Sequence, residues 1–192
     1  MITGDKEKGG TAMRSNTTLY LTLAAVLCAL CAVLAQIHIP LPPVPISLAL
    51  LAVHLCGALL GCAWGAAAVG CYVALGAVGL PVFAGFAGGV SVLAGPTGGF
   101  LAGYMLSAAV TGALTGRLGF TRRTLAAAMA AGTLCCYACG VIWFCIITGT
   151  GLSGALSACV LPFIPGDLIK IALAAALCMR LKKPLRACGF LR

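Results

Sequence analysis

The chain has 192 residues, of which 62% are apolar and 8% charged, with a mean hydropathy of +1.14. Soluble domains carry about 25% charged residues, so this composition excludes an ordinary water-soluble globule and points to a surface that faces lipid. The formal charge of +9 could suit nucleic acid, but the basic residues flank apolar stretches: Lys6, Lys8 and Arg14; Arg117, Arg122 and Arg123; Arg180, Lys182, Lys183, Arg186 and Arg192. That is the positive-inside pattern of a membrane protein, and it argues against a nucleic-acid partner.

In chain order, residues 1–16 read as a disordered polar tail. No Asp, Glu, Lys or Arg then occurs from Ser15 through Gly116. At about 20 residues per crossing, spans are expected at 19–37, 47–61, 62–79, 98–116 and 124–148, with a last one ending at residue 181. The "VLA" before Gln36 resembles a signal-peptidase site, but the sequence beyond it is equally apolar, so 19–37 reads as a retained helix. Proline-rich "PLPPVP" at 40–45 shapes the first turn by removing donors and locking φ. The fold class expected is therefore an all-α integral membrane protein, a bundle of about six transmembrane helices with both termini cytoplasmic. Residues 17–183 form the single membrane domain, between the tail 1–16 and a basic cytoplasmic tail at 184–192. An even number of crossings puts all three basic clusters inside and leaves the uncharged loops 38–46, 80–97 and 149–162 outside.

Two segments interrupt the oil. In "FIPGDLIK", 163–170, Asp167 is the only acid after Glu7, and Lys170 follows it by three positions. Residues i and i+3 share a helical face, and Pro165 in the first turn would leave backbone N–H groups near Asp167 at the positive end of the helix dipole. Ionisable groups at membrane depth are costly and usually mark a substrate path; the structural alternative is an interfacial ion pair that caps the helix. The second segment, "GLPVFAGFAGGVSVLAGPTGGF" at 79–100, has seven glycines and two prolines. Such backbone is tolerated at membrane depth only where protein or a water-filled cavity surrounds it, so it is expected to line the site, with Phe86, Ala87 and Gly88 in it. It lacks the Lys and Ser/Thr of a phosphate-binding loop.

The remaining candidates read as packing. His38 and His54 are far apart, with no further ligand nearby, so no metal site is expected. Of 12 cysteines, Cys28/Cys31 and Cys136/Cys139 have C-x-x-C spacing; a membrane thiol oxidoreductase would need exposed, low-pKa thiols there, whereas cysteine in apolar helices behaves as a small hydrophobe. On the first helix Ala24, Cys28 and Ala32 recur at i+4, and Ala25 and Ala29 form a parallel row. Small residues at this spacing permit close helix approach, to a partner or within the bundle.

"AQIHIPLPPVPISLALLAVHLCGALLG", "YVALGAVGLPVFAGFAGGVSVLAGPTGGFLAGY" and "FIPGDLIKIALAAAL" resemble, in this order and spacing, the BioY family, the substrate-capturing S components of biotin transporters of the energy-coupling factor type. The resemblance implies a six-helix bundle in the plasma membrane of a prokaryote, with the vitamin bound on its outer side. It implies biotin as ligand, no cofactor or catalytic residue, and as partners a transmembrane coupling protein and two ABC-type ATPases, for which the small-residue rows of the first helix are the candidate contact surface if they do not pack within the bundle. Biotin's ureido group offers two N–H donors and one carbonyl acceptor; Asp167 is expected at the ureido edge and Lys170 at a ligand oxygen. The chain departs from the family in having Ala49 where Gln is common and Ala87 where some members carry a basic residue; Ser47 and Tyr72 are the expected replacements. A solitary carrier for biotin or a similar carboxylate is the alternative, although no Walker motif, proton relay or inverted half is visible to energise it.

Overall fold

The computed structural model describes residues 5–187; positions 188–192 of the expected basic tail lie outside the described residues. Helix α1 (Asp5–Gln36) is followed by a short antiparallel pair, β1 (His38–Ile39) and β2 (Ile46–Ser47), in which His38 faces Ser47. The prolines lie in the turn between these strands, where no ladder donor is required. Then come α2 (Ala49–Ala77), the glycine segment with one 3-10 turn (Ala84–Phe86) and α3 (Val90–Ala94), and α4 (Gly98–Leu118). α5 (Arg122–Thr148), α6 (Leu152–Cys159) and α7 (Ile164–Ala187) complete the chain. The helical assignment begins at Asp5 rather than after the expected tail. Extending an existing helix adds a hydrogen bond per residue without a new nucleus, and the stretch of α1 apolar enough to span a bilayer is Thr17–Gln36.

The fold is a mostly helical membrane architecture, with the β1–β2 pair as its one sheet among the described residues. Four helices are long and apolar enough to cross a bilayer, or five if α6 and α7, bent by 52° to one another, count as one. Large apolar side chains such as Val26, Val33, Leu134, Ile142, Ile146 and Leu173 are exposed on the outer faces of these helices, as a lipid-solvated surface requires. The two segments 47–61 and 62–79, expected as separate helices, are joined in α2 through one non-helical residue, Gly61 (φ +81, ψ −174).

That residue reverses the chain. A Cβ on Gly65 would lie 2.7 Å from the Cys56 carbonyl oxygen and 2.9 Å from Gly57 Cα, although positions nine residues apart along a straight helix are separated by about 13 Å. The two halves of α2 therefore pack back to back as a hairpin. Gly112 of α4 receives the turn, since a Cβ there would overlap the backbone of Gly61 and Cys62. Gly57 abuts Ala108 and the Gly61 turn abuts Gly112, so the first half of α2 runs parallel to α4. Gly99, Gly103 and Gly132 bring α4 and α5 together in the opposite sense: Gly99 against Cys139 and Trp143, Gly103 against Cys136, and Gly132 against Ser107. Small residues let these backbones approach without a driving force from water, and α4 becomes the central post to which α2 and α5 are fastened.

The turn makes a direct prediction. Gly61→Ala meets no steric neighbour but forces an L residue into a conformation that is essentially reserved for glycine, costing about 1–3 kcal/mol. Gly116→Ala, in a helical conformation with open space around it, should be neutral or stabilising by up to about 1 kcal/mol. Thermal unfolding of the two variants in one detergent should separate them in this order; equal midpoints would contradict the role assigned to Gly61.

Candidate ligand-binding site

The bent pair α6–α7 sets the two ionisable residues at the start of a membrane helix. Asp167 and Lys170 are 3% and 5% exposed, and the Lys170 Nζ lies 2.7 Å from Asp167 Oδ1. The other carboxylate oxygen, Oδ2, accepts a hydrogen bond from the Tyr137 hydroxyl of α5. Asp167 lies in the first turn of α7, where the helix dipole favours negative charge. Its amide is not free for a ligand, however. The Asp167 N–H donates to the Phe163 carbonyl at 2.8 Å, because the bend before α7 carries the helical hydrogen bonding back across Pro165.

Two cavities adjoin here, and the smaller of them contains this pair. The smaller, about 30 Å³, is lined by Asp167, Lys170, Tyr137, Leu50 and Cys136, among others. The larger, about 180 Å³, is lined by Tyr72, Phe83, Ala84, Ala87, Val92, Thr97 and Leu101. Val44, Pro45, Ser47, Phe100 and Tyr104 border both. Leu50 and Tyr72, 22 positions apart on α2, can serve one composite site only because Gly61 folds that element back. The walls are aromatic. Phe100 stacks on Phe163 at 6.3 Å between ring centroids, and Tyr72 meets Phe83 edge to face at 5.6 Å. Gly140 and Gly76 leave room for these rings, since a Cβ on either would overlap Phe100 or Phe83 respectively. The Trp143 indole N–H donates to the Gly95 carbonyl at 3.0 Å and so ties the glycine segment to α5.

The structure thus brings together Asp167, Lys170, Ser47, Tyr72 and Ala87, but not the whole expected set. Phe86 is 71% exposed and lines neither cavity; Gly85 and Phe86 both adopt positive φ, +73 and +56, and the resulting turn leaves the side chain outside. Gly88 packs against the backbone of Gly79 and Leu80, which closes the loop on itself. Ser47 Oγ accepts the Ala49 N–H at 3.4 Å. Tyr137 and Tyr104 escaped the sequence reading. The one available signal was a phenol inside an apolar span, whose hydroxyl needs a partner when buried.

His54 is fully buried in α2, and its ring Nε2 lies 3.1 Å from Thr133 Oγ1. Because the Thr133 hydroxyl donates to the Met129 carbonyl, Nε2–H is the donor, and Nδ1 has no hydrogen-bond partner. Cys28, Cys31 and Cys136 are buried as well, away from the exposure that thiol chemistry requires. On the α1 side, Ala24, Ala25, Cys28, Ala29 and Ala32 of α1 all line one apolar groove of about 440 Å³, completed by Trp64, Ala67, Ala68, Cys71 and Tyr72 of α2, the last of which also lines the larger cavity. Cys28 is buried at its floor, whereas Ala25 and Ala29 are exposed.

Chemically, the polar end of the site offers a complementary pair. A carboxylate has about four acceptor positions and an ammonium three donors, so after their mutual contact both retain capacity for a ligand that donates and accepts. Together they are neutral, and a neutral polar ligand group adds no uncompensated buried charge. Removing one partner alone should be costly. Lys170→Met is expected to destabilise the protein by about 3–5 kcal/mol through the stranded carboxylate, and adding Asp167→Leu should recover most of that loss. Denaturation midpoints of the single and double variants test this; equal stability of wild type and Lys170→Met would mean that the pair is not an isolated buried charge pair.

The chain is similar to known proteins over most of its length. The model of the BioY family matches residues 8–187. A protein of Thermotoga maritima named biotin transporter BioY is 44% identical, covering 83% of this chain and 94% of its own. A biotin transporter BioY of Rhodobacter capsulatus is 43% identical, covering 83% of this chain and 88% of its own. Among solved structures, the S component for biotin from an ECF-type ABC transporter superposes with a TM-score of 0.81 at 28% identity, covering 94% of this chain and 95% of that one.

Proposed function

The chain belongs to the BioY family, and from that premise we propose that it is the substrate-binding membrane component for biotin uptake rather than an enzyme. The observation that carries this reading is the buried Asp167–Lys170–Tyr137 cluster at the neutral, polar end of an aromatic cavity. A ureido group matches it: its N–H donors meet the remaining acceptor positions of Asp167, and an oxygen of the ligand meets the remaining donors of Lys170. The thiophane ring and aliphatic chain then suit the walls built by Tyr72, Phe83, Phe100 and Tyr104. No cationic side chain borders the larger cavity among the described residues, so the valerate carboxylate is directed towards its open side.

The fold-back at Gly61 supports counting the halves of α2 as two crossings, which with α1, α4, α5 and the α6–α7 pair makes six. Both termini and the 117–123 loop then lie on the cytoplasmic side of a prokaryotic plasma membrane, with every basic cluster inside. The cavity is bordered by the turn before α2, by the glycine segment and by the start of α7, all of which fall on the outer side in this topology. Capture from outside follows. Delivery inward needs energy, for which a transmembrane coupling protein and two ABC-type ATPases are the partners; the exposed Ala25–Ala29 row, on the rim of an apolar groove, is the surface that a partner helix would use.

Calorimetry tests the ligand and its anchor together. Wild type should bind biotin, and Asp167→Asn should weaken binding about 5- to 150-fold, since an amide turns part of the acceptor edge into a donor at a cost of about 1–3 kcal/mol. Unchanged affinity would remove Asp167 as a direct ligand.

Uptake tests the partner surface. Ala25→Leu and Ala29→Leu should leave biotin affinity of the purified chain intact and lower radiolabelled biotin uptake in cells that also express the energising subunits. Accumulation against a gradient by the chain alone would favour a solitary carrier instead.

A further inference from the structure

Gln36, the last residue of α1, is outside the set of ligand contacts and lines neither cavity. Its side-chain amide is nevertheless fully engaged. Nε2 donates to the Ala32 carbonyl at 3.2 Å, one turn back on its own helix, and to the Phe83 carbonyl at 3.1 Å. Oε1 accepts the Phe86 N–H at 2.9 Å. Both distal partners belong to one small loop. Residues 83–87 close on themselves through the Phe83 N–H and the Ala87 carbonyl, 3.0 Å apart, which leaves the Phe83 carbonyl and the Phe86 N–H to the glutamine.

This loop is an improbable object without outside help. Gly85 and Phe86 are both at positive φ, and a bulky residue there is costly and persists only where its surroundings hold it. Further along, the Gly89 N–H bonds the Gly76 carbonyl at 2.7 Å, but that anchor lies beyond the closed turn. Tyr72 of α2 packs on the Phe83 ring, but the side chain that hydrogen-bonds the backbone of the turn from another helix is Gln36. Three residues of the same loop, Phe83, Ala84 and Ala87, form one wall of the larger cavity.

We propose that Gln36 is a positioning residue of the binding site: by bridging the Phe83 carbonyl and the Phe86 N–H it holds the 83–87 loop as a closed wall and so slows escape of the ligand. The inference rests on the reading that this cavity binds biotin. It also means that α1, whose Ala25–Ala29 row faces outward, is mechanically connected to the cavity wall through its last residue.

The test uses the full chain in lipid nanodiscs and Gln36→Met, which keeps the side chain's length and loses both loop hydrogen bonds. Biotin should dissociate about 5- to 150-fold faster, as expected from two net hydrogen bonds, while the association rate changes less than about threefold, as affinity changes mostly appear in dissociation. Amide hydrogen exchange should accelerate within 83–87 and remain unchanged in α4, α5 and α7, a localisation that general destabilisation would not produce. Gly85→Ala should speed dissociation through the same loop, and the double variant should resemble either single one. Gln36→Asn, too short to reach both partners, is the second variant and should behave as Gln36→Met. Unchanged exchange in 83–87, an unchanged dissociation rate, or additive effects in the double variant would overturn the proposal. Failure of wild type to bind biotin would overturn the ligand reading instead, and the exchange measurement would still decide whether Gln36 holds the loop.

Discussion

A bundle solvated by lipid offers no water to an exposed backbone or side-chain polar group, so each departure from helix must be answered from within the protein. The site depends on this constraint. Asp167 is tolerated because Lys170 and Tyr137 neutralise and bond it, and the glycine segment is tolerated because Gln36 and Trp143 satisfy its carbonyls from neighbouring helices. The acceptor and donor capacity that Asp167 and Lys170 retain borders the smaller cavity, where a ligand can use it.

The same constraint explains the packing. With no hydrophobic drive between helices inside a membrane, close backbone approach supplies the attraction, and glycines at 57, 65, 99, 103, 112 and 132 are where the backbones of α2, α4 and α5 touch. Rigid seams of this kind let a buried ion pair be held in one geometry. They also bring residues from four distant segments, the turn at 44–47, the hairpin α2, the glycine segment and the start of α7, to a common end of the bundle. The larger cavity and the apolar groove share Tyr72 of α2 as a common wall. The polar cavity lies among α2, α4, α5 and α7, the apolar groove between α1 and α2, and Gln36 stands at the end of the helix that carries the groove.

Membrane residence, the helical class and the site's most unusual chemistry were legible in the sequence, for reasons of local composition: lipid exposure demands apolar side chains over a fixed length, and an Asp and a Lys three apart in oil are rare enough to identify themselves. The break at Gly61 was also placed correctly between two expected helices, and the resemblance of three motifs to the BioY family agrees with the family match over residues 8–187. Tertiary structure decided the rest. Tyr137 and Tyr104 look like any phenol in an apolar span until α5 carries the first to Asp167 and α4 sets the second on the border of both cavities, because a partner 30 residues away leaves no periodic trace. Phe86 and Gly88 share a loop with Ala87, yet only Ala87 reaches the cavity, since facing in or out is set by positive-φ turns that glycine permits without announcing. Gln36 was invisible for the same reason: a single amide at a helix end acquires meaning only when a loop some 50 residues later closes against it.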